Sequence, residues 1–211
     1  MIEKLRQAVL LGDFHAVGEI TKSALESGLS PSDLLDQALI PAMDIVGSEY
    51  ECGVRFIPEM LVSAEAMKES MIILRPLLSE SGVAPKGRIL IGTVEGDLHD
   101  IGKDLVTTML EGAGFEVIDL GVEVSADRFV EAVLEAEPDI VALSALLTTT
   151  MVHMPEVIDR LTKAGLRSSV MIIVGGAPVT KVYADQIGAD GYADDAAAAV
   201  TMVQQLLAAG G

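Results

Sequence analysis

Up to about residue 81, apolar positions recur at the three-and-four spacing of amphipathic helices. Leu5, Val9 and Leu10 share one face of a short opening helix. Asp13 stands where it caps a second, in which Val17, Ile20, Ala24 and Leu25 form a stripe that Gly28 ends. Ser30-Pro31-Ser32-Asp33 supplies a cap, a first-turn proline and an early acid. The third helical stretch, Leu34 to Glu51, is expected to break or kink at Pro41 and to close at Gly53. Pro58-Glu59 opens a fourth, running to about Ser81, with Met60, Leu61, Ala64, Met67, Met71 and Leu74 at helical spacing. Four helical pieces with short connections predict a small bundle, a helical cap domain over residues 1–81.

The run Gly82-Val83-Ala84-Pro85-Lys86-Gly87 reads as a linker, because its Gly and Pro residues let neither neighbouring element continue. From residue 88 to 211 short continuous apolar runs alternate with amphipathic stretches. Arg88 to Val94, Phe115 to Leu120, Asp139 to Ser144, Val170 to Gly175 and the short Asp190 to Ala193 read as strands. Helices are expected over Ile101–Ala113, from a Ser125 cap to Ala136, over Met151–Ala164 and over Asp195–Ala208. Strand and helix in rotation predict an α/β domain with a parallel sheet covered on both faces. Five strands with five helices match a flavodoxin-like order, 2-1-3-4-5. Ligands of such sheets bind outside the carboxyl ends of the strands, at the switch point beside strands one and three.

That point is occupied by Glu95-Gly96-Asp97-Leu98-His99-Asp100-Ile101-Gly102-Lys103. A P-loop would need glycine where Asp97 stands and Ser or Thr where Asp104 stands. The three spaced glycines of a dinucleotide site are absent, and a carboxylate-rich loop repels pyrophosphate. A phosphate-receiving regulator would end its third strand in aspartate and place a lysine after the fifth. Here the third ends in Ser144-Ala145-Leu146 and no lysine ends the fifth.

The loop does offer Asp97-x-His99. Residues two apart in an extended loop point the same way, so the carboxylate can take a hydrogen bond from one imidazole nitrogen and leave the other as an outward lone pair. Gly102 lets the following helix begin close to whatever His99 binds. A helix-entry histidine bonded to a neighbouring acid fits the same residues. A zinc site would have to be completed by His15 or His153, with no cysteine beside them. One histidine without further protein ligands suits a metal carried in a macrocycle.

Composition narrows the class. The 211 residues include 14 Lys+Arg against 32 Asp+Glu, a formal net charge of -18, which disfavours nucleic acid and acidic membrane lipid as partners. One cysteine, Cys52, cannot form an internal disulfide and fits a reducing, cytoplasmic setting. The opening MIEKLRQAVLLGDF lacks the apolar core of a signal peptide, and no run of eighteen apolar residues spans a bilayer.

Asp97, His99 and Gly102 as D-x-H-x-x-G, then Ser144 and Leu146 as S-x-L, then Gly175-Gly176, resemble the cobalamin-binding signature of methionine synthase and of the corrinoid proteins of methanol and methylamine methyltransferase systems. The segment Gly53 to Leu61, with Ala64 and Met67, is similar to the helical cap of that family, so the resemblance extends over the whole chain. It implies a cobalamin or related corrinoid, in a methylated form, whose cobalt takes His99 as lower axial ligand, with Asp97 hydrogen-bonded behind it and Ser144 a further member of that relay. Asp100 and Ile101, inside the signature, would touch the cofactor. Ser144, Leu146, Thr148 and, beside them, Thr150 would line the channel of its nucleotide tail. Gly175 and Gly176 would leave room for that tail, flanked by Tyr192 and Ala193. Phe56, Met60 and Met67 are implied contacts of the helical half that fit ordinary bundle core equally well, core being favoured for Met67.

The resemblance further implies that ligation by His99 follows the redox state of cobalt, because methyl-Co(III) uses an axial imidazole and Co(I) does not. The implied function is methyl carriage from a substrate:corrinoid methyltransferase to a second, methyl-accepting methyltransferase, with a reductive activator as a further partner. The chain would then be a shuttle subunit rather than a complete enzyme. The donor, among methanol, methylamines, betaines and methoxylated aromatics, would be chosen by the partner. Two other functions use the same sheet motifs: the cobalamin subunit of an adenosylcobalamin mutase, which needs no cap segment, and a cobalamin-dependent sensor, which needs a DNA-binding element.

Overall fold

A computed structural model describes residues 1–80 and 85–210. The chain divides into two compact units, Met1–Lys86 with Thr108–Phe115, and Gly87–Thr107 with Glu116–Gly211. The first contains α1 (Ile2–Leu10), α2 (Phe14–Glu26), α3 (Pro31–Leu34), α4 (Ile40–Glu51) and α5 (Ile57–Glu80). Caps start the helices where the sequence placed them: the Asp13 carboxylate accepts from Ala16 N–H at 3.0 Å and Ser30 Oγ from Asp33 N–H at 3.0 Å. Helix therefore begins at Pro31, three residues before the expected Leu34. Pro41 does not break the stretch. A wide π turn at Leu35–Leu39 runs directly into α4, and the Gln37 carbonyl, to which Pro41 has no N–H to donate, accepts from Arg6 Nη2 at 2.7 Å.

Leu5, Val9, Val17, Ala24, Leu39, Met60, Met67 and Leu74 are buried in this unit. Two stripe positions depart from expectation. Leu61 is exposed, and Thr21 rather than Ile20 fills the interior, its hydroxyl satisfied by Val17 C=O and Ser70 Oγ at 2.8 Å each. Of the expected linker, residues 82–84 lie outside the described residues; Gly87 C=O accepts from Glu116 N–H at 3.0 Å. Among the described residues no helix is long and apolar enough to cross a membrane.

The second unit is a five-stranded parallel sheet in the order β2-β1-β3-β4-β5. Its strands are β1 (Arg88–Thr93), β2 (Glu116–Asp119), β3 (Ile140–Ser144), β4 (Met171–Gly175) and β5 (Gly191–Ala193). The associated helices are α6 (Ile101–Gly112, its second half clustering with the helical unit), α7 (Ala126–Ala136), α8 (Met154–Lys163), α9 (Lys181–Ile187) and α10 (Ala196–Gly210). No boundaries had been assigned to α9, whose seven residues carry one fully buried side chain, Ala184, and so little apolar periodicity. Ser125 Oγ caps α7 from Arg128 N–H at 3.3 Å. Ser125→Ala is expected to cost about 1 kcal/mol, read as a shifted midpoint in urea unfolding.

The central strands are apolar throughout because helices cover both faces. Phe129 of α7 lies against Gly92, where a Cβ would come 2.8 Å from the ring. Register then does something local sequence does not reveal. Thr93, Ser144, Gly175 and Ala193 pair in one row across the carboxyl edge, so residues a hundred positions apart form a continuous shelf.

Candidate functional site

The loop from Val94 to Asp100 leaves that shelf at β1. Val94 N–H donates to Ser144 C=O at 3.0 Å, Glu123 N–H donates to Asp97 C=O at 2.9 Å, and the buried Thr93 hydroxyl donates to His99 C=O at 2.9 Å. The loop backbone is thus fastened to the sheet rather than free to follow its side chains.

Asp97 is fully buried. Its Oδ2 accepts from the Thr150 hydroxyl at 2.6 Å and from Leu146 N–H at 2.8 Å; its Oδ1 takes His99 N–H at 3.1 Å and His99 Nδ1 at 2.6 Å. Burial alone would raise this carboxyl's pKa. The Thr150, Leu146 and His99 hydrogen bonds outweigh it and hold the group well below the usual carboxylate range. Four donors leave no place for a proton, so Asp97 is an anion and Nδ1 carries the imidazole hydrogen. Nε2 is then a lone-pair donor. Half of the His99 side chain is exposed, and Nε2 has no hydrogen-bond partner among the described residues.

Two consequences can be measured on the chain alone. Asp97→Ala strands the Thr150 and Leu146 donors and is expected to destabilise the fold by about 3 kcal/mol at neutral pH. A carboxylate with a lowered folded pKa contributes fully above its unfolded value of about 4 and loses that contribution as pH falls through the folded value. The gap between Asp97→Ala and the parent should therefore narrow below about pH 4 in denaturation series. Thr150→Val, nearly the same shape, should cost about 1–2 kcal/mol by the same measurement.

The expected relay needs correction at one member. Among the described residues Ser144 is not a partner of Asp97: its carbonyl holds Val94, and the hydroxyl reaching the carboxylate is that of Thr150, six residues on. The turn after β3, where Thr150 N–H bonds Leu147 C=O at 3.1 Å, carries Thr150 back beneath the loop. Met60 takes the bundle-core alternative. It is completely buried in the helical unit's core, so its side chain has no surface to offer a ligand, while Phe56 is 67% exposed. Asp100, Ile101, Gly102, Leu146 and Thr148 are exposed around the loop. Tyr192 is half-buried, its hydroxyl on Asp194 at 2.7 Å, and Ala193 is buried.

Both glycines have reasons within the fold. A Cβ on Gly175 would lie 3.1 Å from Ala193 C=O; one on Gly176, at φ +120°, would overlap Ala145 C=O. Residues missed by the sequence reading are Thr93 and Lys103. A lone hydroxyl ending an apolar strand and a lysine inside the first turn of a helix were the available signals.

Among the described residues no three His, Cys, Asp or Glu side chains gather as a metal-binding group. A metal at Nε2 would therefore bring its other ligands with it. A half-exposed imidazole backed by a buried carboxylate, on a stretch of chain with Leu98 and Ile101 exposed and with Leu146 and Leu147 exposed on the loop that donates to Asp97, fits the lower face of a macrocycle.

Comparison with known proteins gives the family. Residues 87–201 and residues 1–75 each match a family model described as a B12 binding domain. The chain is 40% identical over 210 residues to a corrinoid protein of Desulfitobacterium hafniense, covering 98% of this chain and 97% of that protein. It is 42% identical over 206 residues to trimethylamine corrinoid protein 2 of Methanosarcina acetivorans, covering 97% and 95%. A chain in the crystal structure of the methanol:cobalamin methyltransferase complex from Methanosarcina barkeri superposes with a TM-score of 0.86 at 34% identity, over 97% of this chain and 78% of that one. A buried acid presenting one half-exposed imidazole at the edge of a parallel sheet, within matches that run nearly end to end, makes this chain a member of the B12-binding corrinoid protein family.

Proposed function

We propose that the chain is a methyl-carrying corrinoid protein that serves a substrate-specific methyltransferase and a second, methyl-accepting one. The observation that carries this reading is the Nδ1–Asp97 hydrogen bond of 2.6 Å, which leaves Nε2 of the half-exposed His99 as the lone-pair donor. A bound corrinoid supplies a cobalt centre able to take up and give away a methyl group. His99 would hold that centre through Nε2, while Asp97 fixes the ring's tautomer and orientation. Thr150 and Leu146 keep Asp97 ionised, so electron density is pushed through the imidazole toward its free nitrogen.

The same assignment puts Ser144, Leu146, Thr148, Thr150, Gly175, Gly176, Tyr192 and Ala193 along the nucleotide tail. Trimethylamine and methanol systems supply the named relatives, which favours methyl carriage over a mutase or a sensor. A reductive activator would be a third partner.

The test is direct. Purified chain mixed with hydroxocobalamin and passed through gel filtration should elute coloured, with an imidazole-ligated visible spectrum. Charged with methylcobalamin, it should lose the methyl group to a methyl-accepting methyltransferase in the presence of that enzyme's acceptor. Elution without colour, or preference for adenosylcobalamin with no methyl transfer, overturns the reading.

A further inference from the structure

Lys103 is the least expected residue of the second unit. It occupies the third position of α6, and its side chain is only 2% exposed. Burying an ammonium is costly, and the N-terminal turn of a helix is the end that disfavours a cation. The charge is met by two carboxylates: Nζ donates to Asp104 Oδ1 at 2.6 Å and to Asp119 Oδ2 at the carboxyl end of β2. Buried ion pairs of this kind seldom exceed an apolar replacement in stability; their best-attested use is to select one geometry.

The geometry selected here can be traced bond by bond. Asp119 Oδ1 accepts from Gly121 N–H at 2.8 Å, and Gly121 C=O accepts from Thr93 N–H at 3.0 Å. The Thr93 hydroxyl donates to His99 C=O at 2.9 Å, and four residues later the chain is back at Lys103. The circuit closes on itself. Asp97 holds the imidazole ring and the His99 N–H, while this separate circuit holds the His99 C=O.

We infer that Lys103 is a positioning residue for His99, locking the loop backbone to β2 so that Nε2 meets a metal at a set height and angle. The inference rests on the reading of His99 as the axial ligand. It predicts that losing the ammonium loosens ligation without unfolding the sheet. Lys103 acts through Asp119, Gly121 and Thr93, and touches neither the cofactor nor the imidazole.

The experiment uses the full chain with Lys103→Met, of similar length and no charge, and Asp119→Asn, which keeps an acceptor for Gly121. In the cofactor-free chain both should raise amide hydrogen exchange at residues 97–100 by about tenfold relative to the amides of β3, with Lys103→Met the larger. Loaded with hydroxocobalamin, both should show a smaller imidazole-ligated fraction. Should Lys103→Met fail to fold, Asp119→Asn alone decides. Parent-like exchange and spectra in the folded variants overturn the inference. A His99→Ala control separates the two readings: if its loaded spectrum equals the parent's, the axial assignment fails, whereas the exchange arm still reports on Lys103.

Discussion

Replacing His99 with alanine is expected to convert the bound cofactor's visible spectrum from imidazole-ligated to ligand-free and to lower affinity about a hundredfold or more. Changing an orienting partner of a metal ligand already costs ten- to a hundredfold as a rule, so losing the ligand itself should cost at least the upper end. The fold should survive. Asp97 would keep Thr150, Leu146 and the residue-99 N–H as donors, losing only the ring, a loss on the order of 1 kcal/mol in stability. Added free imidazole should restore part of the ligated spectrum, because the exposed Leu98, Ile101, Leu146 and Leu147 remain. An unchanged spectrum in His99→Ala would remove the residue from the metal altogether.

Gly176→Ala is the corresponding prediction for stability. At φ +120° an alanine is strained by about 1–2 kcal/mol before any contact is considered. Its Cβ would also overlap the Ala145 carbonyl oxygen and sit 2.9 Å from the carbonyl carbon. These are backbone atoms just past the end of the neighbouring β3, and they cannot swing aside as a side chain can. The sum should exceed about 3 kcal/mol, enough to lower the unit's Tm by roughly 6–12 °C or to prevent folding. Gly165→Ala supplies the contrast. That glycine is also left-handed, at φ +74°, but has open space where the Cβ would go, so only the conformational cost of about 1 kcal/mol remains. Equal losses at the two positions would show that close approach to Ala145 is not what keeps residue 176 a glycine.

Much of the architecture was legible because periodicity is local. Runs such as Ile89-Leu90-Ile91 can only be strands covered on both faces, and Ser30, Asp13 and Ser125 announce helix starts by hydroxyl or carboxylate chemistry within one turn. Asp97 and His99 were legible for the same reason, since two residues of separation suffice to bring a carboxylate to an imidazole. Thr150 was harder. Its role depends on the turn after β3 returning a hydroxyl to a carboxylate 53 positions earlier, and Ser144 offered an equally good hydroxyl nearer the strand. Leu61 shows the opposite failure. Helical spacing places it on a stripe with Met60, yet neighbours one residue apart lie about 100° apart on a helix, and packing buried Met60 and left Leu61 in solvent.

By itself, the sequence determined the alternation of elements and the acid–imidazole pair, because each depends on spacing within one or two turns of chain; the order of the sheet came from matching that alternation to a flavodoxin-like pattern. Only the tertiary structure decided which hydroxyl supports Asp97, why residue 176 must lack a side chain, and how a buried ammonium on α6 reaches the peptide of His99. Those are contacts between segments whose separation along the chain says nothing of their distance in space, and they exist only once parallel register has drawn Thr93, Ser144, Gly175 and Ala193 into one row.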